Sequence, residues 1–357
     1  MKERINNLDS LMEEAVKNEV FPGANIVIAT EKETIFKSYG NKALLPSEEK
    51  NDLDTLYDMA SCSKVIATTT SIFLLLEQGK LRLYDSVSLY VPEFKYDNIT
   101  VFDLLTHSSG LYADVSKAYE IKSREELMER IFNMELKYEK GNDIVYSDLG
   151  FILLGLIIEK ISGVTLDVFT KENIFKPLGM NSTCYNPVDV MLCAPTEIRK
   201  DEVYNGVIRG KVLDEKAYIM GGVAGHAGLF SCVKDLEKYI KMVLNDGVHE
   251  GKRFLSKASV DLMFKPMVRK ASGVSLDYDQ RGLGWIVRGD YPSSGDLASG
   301  ETIYHTGFTG TNVVIDRINK VGFSILSNRV HPTRENTKVI PWRGRIGNFI
   351  IANFGDR

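Results

Sequence analysis

Segments with the pattern of β-strands lie near both ends of this 357-residue chain, and the long middle has the pattern of helices. Residues 24–29 are almost all apolar, as in a central strand, and a polar turn separates them from a second strand-like run at 34–39. Further strand patterns return only late, at 284–287, 302–305, 311–316 and 322–327. We therefore predict an α+β fold, in which an antiparallel sheet built from both chain ends is flanked by helices and carries a large, mainly helical insertion.

The spacing of apolar residues predicts the helices. They are expected at residues 8–18, 63–78, 101–106, 124–133, 148–161, 166–174, 233–245 and 345–353. Residues 1–60 and 280–357 are then expected to form the sheet domain, and residues 61–279 the mainly helical domain. Because no repeat or linker-like tract separates them, the two parts are expected to share an interface, with an active site in the cleft between them.

Composition excludes several classes of function. The net charge is −4 with acids and bases interleaved, which is not the charge pattern of a nucleic-acid-binding protein. The longest apolar stretch, residues 149–158, is shorter than the ~20 residues that span a bilayer, so we expect no membrane span. The first residues lack the apolar segment of a secretion signal, which predicts a cytoplasmic protein as written, or a secreted one if a leader has been removed. Four scattered cysteines match neither a zinc site nor a disulfide framework.

The first chemical motif is a serine, Ser61, followed three residues later by Lys64, at the start of a predicted helix. Side chains three apart on a helix share a face, so the lysine lies one turn from the hydroxyl. The Ser61 N–H also falls among the unpaired donors of a helix start, where negative charge is stabilised. These residues supply a nucleophile, a candidate base and half of an oxyanion hole.

The second motif, Tyr146-Ser147-Asp148, precedes an apolar helix. A tyrosine hydroxyl near a lysine and a serine relays protons if the cationic lysine lowers the cost of phenolate. The alternative is structural: Asp148 caps the helix and Tyr146 packs.

The third motif, from His305 through Thr306 and Gly307 to Phe308, ends a predicted strand. A glycine at Gly307 lets a substrate backbone lie against the strand edge, and the Phe308 N–H completes an oxyanion hole. The alternative is a simple turn between two strands.

In this order, the three motifs resemble those of the serine β-lactamase and penicillin-binding-protein superfamily, on its class C β-lactamase and DD-peptidase branch. That branch reads Ser-x-x-Lys, then Tyr-Ser/Ala-Asn, then Lys/His-Thr/Ser-Gly. The resemblance covers nearly the whole chain, including the stretch 104–111 that flanks the catalytic cleft in the branch. It implies Ser61, Lys64 and Tyr146 as the catalytic residues.

Two departures from the pattern bear on the substrate. His305 stands where typical class C β-lactamases carry lysine, and Asp148 stands where they carry asparagine. Loss of a permanent cation and gain of a carboxylate both weaken the binding of a β-lactam carboxylate. The carboxylate at 148 is expected either to pair with Lys64 or to accept from a substrate N–H.

Residues 221–231 and 327–332 are similar to stretches in a subgroup of low-molecular-weight penicillin-binding proteins and a muropeptide amidase. Within them, His226 and Arg329 are candidate substrate contacts, and an arginine suits a carboxylate. The alternatives are a glycine-rich turn before a helix, and solvated loop side chains.

We therefore expect a serine hydrolase that forms an acyl-enzyme on peptide, amide or ester substrates, most of all cell-wall peptides or muropeptides. Ser61 and Phe308 are the expected oxyanion donors, and Asp148, His305, Thr306, Gly307, His226 and Arg329 the expected substrate-binding residues. The alternatives are a class C β-lactamase and a penicillin-binding sensor domain without turnover. No cofactor is expected, and since the histidines lack the spacing of a metal motif, no metal. A monomer is the default expectation.

Overall fold

The computed structural model describes residues 2–201, 203–271, 278–288 and 293–355. Within these ranges the main sheet has nine strands, all paired antiparallel. In spatial order they are Val268–Ala271, Tyr278–Arg281, Ile286–Val287, Thr302–Thr306, Asn312–Asp316, Val321–Ser327, Gly23–Thr30, Thr34–Ala43 and Glu49–Lys50. The first and last thirds of the chain meet where Ile26 pairs with Ile325. The predicted α+β class, with a sheet built from both chain ends, is confirmed.

Strand Gly23–Thr30 is buried along its whole length because both faces of the sheet are covered. Its Val27 and Ala29 belong to the core shared with the helical middle of the chain. Its Ile26 and Ile28 point the other way, into a second core with helices Lys2–Lys17 and Val339–Phe354. Alternate side chains of one strand thus enter two cores, which explains a continuous apolar run in place of an alternating one.

The α-helices keep most of the predicted positions. They are Lys2–Lys17, Thr70–Glu77, Val101–Leu105, Arg124–Phe132, Asp148–Ser162, Leu166–Thr170, Glu215–Ile219, Val233–Leu244, Lys257–Met263 and Val339–Phe354. The last helix begins six residues before the predicted start, since Pro341 occupies its first turn, where no N–H is needed. Short 3₁₀ turns occur at Ala60–Cys62, Val87–Leu89, Ala118–Glu120 and Val190–Leu192.

Two predicted helices are interrupted by wider π-helical segments, Lys64–Thr69 and Lys171–Phe175. In the first of these, the Thr70 hydroxyl donates to the carbonyl of Val65, five residues earlier, at 3.0 Å. Widened turns of this kind often occur at functional sites.

The middle of the chain also contains short strands that the sequence did not predict. They are Tyr57–Asp58, Cys184–Tyr185, Leu229–Ser231, Ile198–Lys200, Asn205–Val207, Val248–His249 and Lys252–Arg253. Strand Val268–Ala271, at the edge of the sheet, lies wholly before residue 280, the predicted start of the second sheet segment. Its neighbour Tyr278–Arg281 begins two residues before that position. Their sequences are short and rich in charged residues, so they lack the apolar pattern by which a strand is predicted.

One helical stretch, Ala60–Glu77, is long and apolar enough to cross a membrane among the residues described, and 78% of it is buried inside the protein. The bent pair Asp148–Ser162 and Leu166–Phe175 passes the same test only if both helices are counted as one span. Asp148–Ser162 is mostly buried in the same core as the first stretch. Because these helices are mostly buried, they are core helices of the fold.

Candidate active site

A cavity of about 730 Å³ opens between the end of strand Thr302–Thr306 and the helical part of the chain. It is lined by nine of the ten residues that the sequence singled out: Ser61, Tyr146, Asp148, His226, His305, Thr306, Gly307, Phe308 and Arg329. The tenth, Lys64, is fully buried directly behind Ser61. Segments far apart in the chain therefore meet at this cavity.

The candidate nucleophile, Ser61, lies in the 3₁₀ turn Ala60–Cys62, immediately before the π-helical segment that begins with Lys64. The Lys64 Nζ lies 3.1 Å from the Ser61 Oγ, as the three-residue spacing predicts. Ala60 has a φ of 45°, a left-handed conformation that is costly for a residue with a Cβ. Backbone strain of this kind persists only where surrounding contacts hold it in place.

Asp58 supplies part of that support from beneath the turn. Its carboxylate accepts hydrogen bonds from the backbone N–H groups of Ala60 and Leu213, each at 2.8 Å. Burial raises the pKa of Asp58 to about 6, although both hydrogen bonds act to lower it. One buried carboxylate thus ties the nucleophile turn to the loop that precedes Asp214.

Replacing Asp58 with Ala is expected to lower the free energy of unfolding by about 2–5 kcal/mol, because two buried N–H groups lose their acceptor. The same change should slow modification of Ser61, since Ala60 would relax from its left-handed conformation. Urea unfolding followed by circular dichroism, together with the rate of labelling by a fluorophosphonate, measures both effects. As a control, Asp54→Ala removes an exposed carboxylate from the loop that precedes Asp58. Unchanged stability in Asp58→Ala would contradict the supporting role of Asp58.

Lys64 is held by three further groups besides Ser61. Its Nζ lies 2.7 Å from Asp148 Oδ1 and donates to the main-chain oxygen of His226 at 3.0 Å. Burial by itself lowers the pKa of Lys64, but the Asp148 carboxylate and Tyr146 raise it, and the net direction is upward. Lys64 therefore rests as an ammonium ion.

The Tyr146 hydroxyl is hydrogen-bonded to both Ser61 and Lys64, so it bridges the nucleophile and the cation. Burial raises its pKa, whereas the Lys64 ammonium, 4.9 Å from the ring centroid, lowers it. The imidazole rings of His107 and His305 lie 4.7 and 6.0 Å from the Tyr146 ring, between centroids. Ser61, Lys64 and Tyr146 therefore form one hydrogen-bonded unit, in which the charge of each affects the proton affinity of the others.

Both histidines beside Tyr146 are neutral. Burial lowers the pKa of His305 to about 3, helped by the cations Lys64 and Arg281. Burial, with Arg281 and Lys64, also holds the pKa of His107 well below its usual range. His305 Nδ1 donates to the Thr306 carbonyl at 2.9 Å, which leaves Nε2 unprotonated. His305 therefore supplies no positive charge, in agreement with the loss of a cation inferred from the sequence.

The turn after His305 offers a free donor. The Phe308 N–H makes no hydrogen bond within the part of the chain that the structure describes. Gly307 has a packing role besides the one that the sequence suggests: a Cβ there would lie 2.6 Å from the Met59 oxygen and 2.1 Å from the Thr311 hydroxyl. The packing of the strand end against the nucleophile turn therefore requires a glycine.

Asp148 pairs with Lys64, one of the two roles expected for it from the sequence, and it has a second lysine as a neighbour. Its Oδ1 contacts Lys64, and its Oδ2 lies 3.4 Å from the Nζ of a second lysine, Lys216. Lys64, His226 and Lys216 together lower the pKa of Asp148 against the effect of burial, so it is ionised. Since Asp114 and Asp214 also contact Lys216, three carboxylates surround the two ammonium groups, and these five groups carry no excess of positive charge.

His226 and Arg329 are buried side chains, unlike the solvated loop residues considered as an alternative. His226 is 1% exposed, and its Nε2 lies 2.7 Å from Asp214 Oδ1. Ligand atoms of Asp148, Asp214 and His226 lie within 4.8 Å of one another, a spacing that suits a cation. The Lys216 ammonium contacts both carboxylates, Asp148 and Asp214, and therefore already supplies a positive charge to this group.

Two guanidinium groups in the cavity lining contact carbonyl oxygens. Arg329 Nε donates to the Phe308 carbonyl at 2.9 Å, and Arg343 Nη2 donates to the Gly307 and Thr311 carbonyls at 2.8 and 3.0 Å. Both residues are 6% exposed and contact no carboxylate among the described residues. Burial lowers the pKa of Arg343 to about 10, so it remains charged at neutral pH.

Sequence reasoning missed Asp58, Asp214, Lys216 and Arg343, which line or support the cavity. None belongs to a motif: Asp58 ends a two-residue strand, Asp214 and Lys216 belong to the start of a short helix, and Arg343 lies in the last helix. Only His107 carried a signal, because it lies in the 104–111 stretch associated with the cleft.

Comparison with known proteins bears on the family resemblance of the three motifs. The sequence matches the Beta-lactamase family over residues 8–345. It is 32% identical to "Putative D-alanyl-D-alanine carboxypeptidase" of Escherichia coli (strain K12), over 99% of this chain and 88% of that protein.

Two solved structures illustrate the shared fold. "EstCE1, a hydrolase with promiscuous acyltransferase activity" superposes with a TM-score of 0.79 at 20% identity, covering 98% of this chain and 99% of that one. "A class C beta-lactamase" gives a TM-score of 0.76 at 20% identity, covering 99% and 97%. With its family matched along nearly the whole length, the chain belongs to the β-lactamase family and is a serine hydrolase of the class C-like type.

Proposed function

We propose that this protein hydrolyses cell-wall peptides, releasing the carboxy-terminal residue of a muropeptide through an acyl-enzyme on Ser61. The observation that carries the proposal is the arrangement of the cavity. Ser61 and its proton-transfer partner Tyr146 line this cavity together with the guanidinium groups of Arg329 and Arg343. A substrate with a carboxylate beside its reacting carbonyl would meet both the nucleophile and a cation there.

For acylation, the unit of Tyr146 and Lys64 first releases one proton to solvent, and the Ser61 Oγ then attacks the peptide carbonyl and passes its proton to that unit. The N–H groups of Ser61 and Phe308 donate hydrogen bonds to the developing oxyanion. As the C–N bond breaks, the stored proton moves to the leaving amine. Water then attacks the ester carbonyl, and the ester C–O bond to Ser61 breaks. One proton of that water is transferred to the Ser61 Oγ, and the carboxylic acid product leaves.

The substrate class is supported by charge and by relatives. The cavity holds Arg329 and Arg343 with main-chain oxygens as their neighbours, so a ligand carboxylate would supply the missing anion. The relative with 32% identity carries the name of a D-alanyl-D-alanine carboxypeptidase. Neutral His305 in place of lysine disfavours a specialised β-lactamase.

The proposal is tested by comparing kcat/KM for four substrates: a muropeptide ending in D-alanyl-D-alanine, a muramyl-L-alanine amide, a p-nitrophenyl ester and a chromogenic cephalosporin. We expect release of D-alanine to be the fastest of the four reactions, and Ser61→Ala, as the matched control, to abolish it. Faster hydrolysis of the cephalosporin would establish the β-lactamase alternative instead. A penicillin adduct that never turns over, with all four substrates inert, would establish the sensor alternative.

A further inference from the structure

Lys216 is a buried lysine in the cavity wall that belongs to no catalytic motif. Its side chain is 3% exposed, and its Nζ lies 2.9 Å from Asp114, 3.1 Å from Asp214 and 3.4 Å from Asp148. Asp214 caps helix Glu215–Ile219, which carries Lys216, through a hydrogen bond to the Ala217 N–H. An ammonium group buried at this depth requires such partners, because burial alone disfavours its charge.

Asp148 joins this cluster to the catalytic residues. One of its oxygens contacts Lys64 at 2.7 Å and the other contacts Lys216 at 3.4 Å. The same Lys64 Nζ lies 3.1 Å from the Ser61 Oγ. The path from Lys216 to the nucleophile therefore consists of two ion pairs and one hydrogen bond.

We propose that Lys216 is a positioning residue that sets the proton affinity of the Ser61–Lys64–Tyr146 unit by sharing the Asp148 carboxylate with Lys64. The inference rests on the proposed acyl-enzyme chemistry and deepens it. The carboxylate at position 148 and the cation at position 216 form a compensating pair, which together replace the neutral amide of related enzymes.

The direction of the effect follows from charge. Lys216 draws Asp148 away from Lys64 and adds positive potential near the catalytic unit. Both effects lower the proton affinity of Lys64 and of Tyr146. Without Lys216, Asp148 pairs with Lys64 alone and the unit holds its proton more tightly. Acylation at neutral pH then requires a costlier proton transfer.

Other charged and titratable groups face Lys216 and Lys64 from each neighbouring element. The variants described below leave most of these groups in place. Around Lys216 and Lys64 they are Asp114, Asp148, Asp214, Tyr146, His107, His226, His305 and Arg281. Burial holds the pKa of His107 well below its usual range and lowers the pKa of His305 to about 3, so neither histidine is expected to generate a limb of the pH profile in the test.

The test is the rate of Ser61 labelling by a fluorophosphonate between pH 5 and 10, which needs no knowledge of the natural substrate. Lys216→Met is expected to move the acidic limb upward by about one pH unit and to slow labelling about tenfold at pH 7. Asp148→Asn should move the limb downward. The double variant Lys216→Met/Asp148→Asn should return the limb to within about 0.3 unit of the unmodified protein.

Lys216→Arg keeps the charge and serves as the control, with an unchanged limb. Asp114→Asn, on a partly exposed loop, removes one competitor for Lys216 and should shift the limb downward, even if Lys216→Met fails to fold. A folded Lys216→Met with an unmoved limb, or a double variant whose losses simply add, would overturn the role of Lys216. An unmodified protein that is never labelled at Ser61 would instead overturn the acyl-enzyme proposal.

Discussion

Replacing Ser61 with Ala is expected to abolish covalent labelling by fluorophosphonate and by fluorescent penicillin. Ser61 has both an ammonium group 3.1 Å from its hydroxyl and a hydrogen bond to a tyrosine, in a cavity open to substrate. Intact-mass spectrometry after exposure to excess reagent measures the loss directly. Hydrolysis of every substrate should fall to the uncatalysed rate.

Ser63 provides a matched control in the same motif. Its hydroxyl accepts from the Leu229 N–H at 3.1 Å and is buried away from the cavity lining. Ser63→Ala should therefore lose some stability and still be labelled at Ser61. Stoichiometric labelling of Ser61→Ala would show that the nucleophile is another residue.

Lys64→Met and Tyr146→Phe are each expected to lower the acylation rate by roughly 10²-fold or more, the usual size of a lost general acid–base group. Lys64→Met removes the cation that stabilises a Tyr146 phenolate. Tyr146→Phe removes the hydroxyl that bridges Lys64 and Ser61. Stopped-flow measurement of acylation by a chromogenic ester separates this step from deacylation.

Both variants should remain folded. In Lys64→Met, Asp148 keeps Lys216 as a partner, so no buried carboxylate is left without a counter-ion. In Tyr146→Phe, the ring contacts with His107 and His305 are preserved. Thermal unfolding provides the control, and acylation near the unmodified rate in a folded Lys64→Met would mean that another residue takes the proton.

Local features of this protein were predictable from its sequence. The spacing of Ser61 and Lys64 is one helical turn, and a turn has nearly the same geometry wherever it occurs. Strand Gly23–Thr30 and helix Asp148–Ser162 were recognised because long apolar runs commit a segment to burial. The order of three motifs then placed the chain in its family, and with the family came the fold.

Only the tertiary structure decided the electrostatics of the site. Asp148 looked like an added negative charge until Lys216, from another element, was found 3.4 Å from it. His305 is neutral because the fold buries it beside Lys64 and Arg281, and Gly307 is required because Met59 and Thr311 approach it. The free energy of a buried charge depends on the distances to a few partners, and those distances join residues whose separation in sequence carries no information about them.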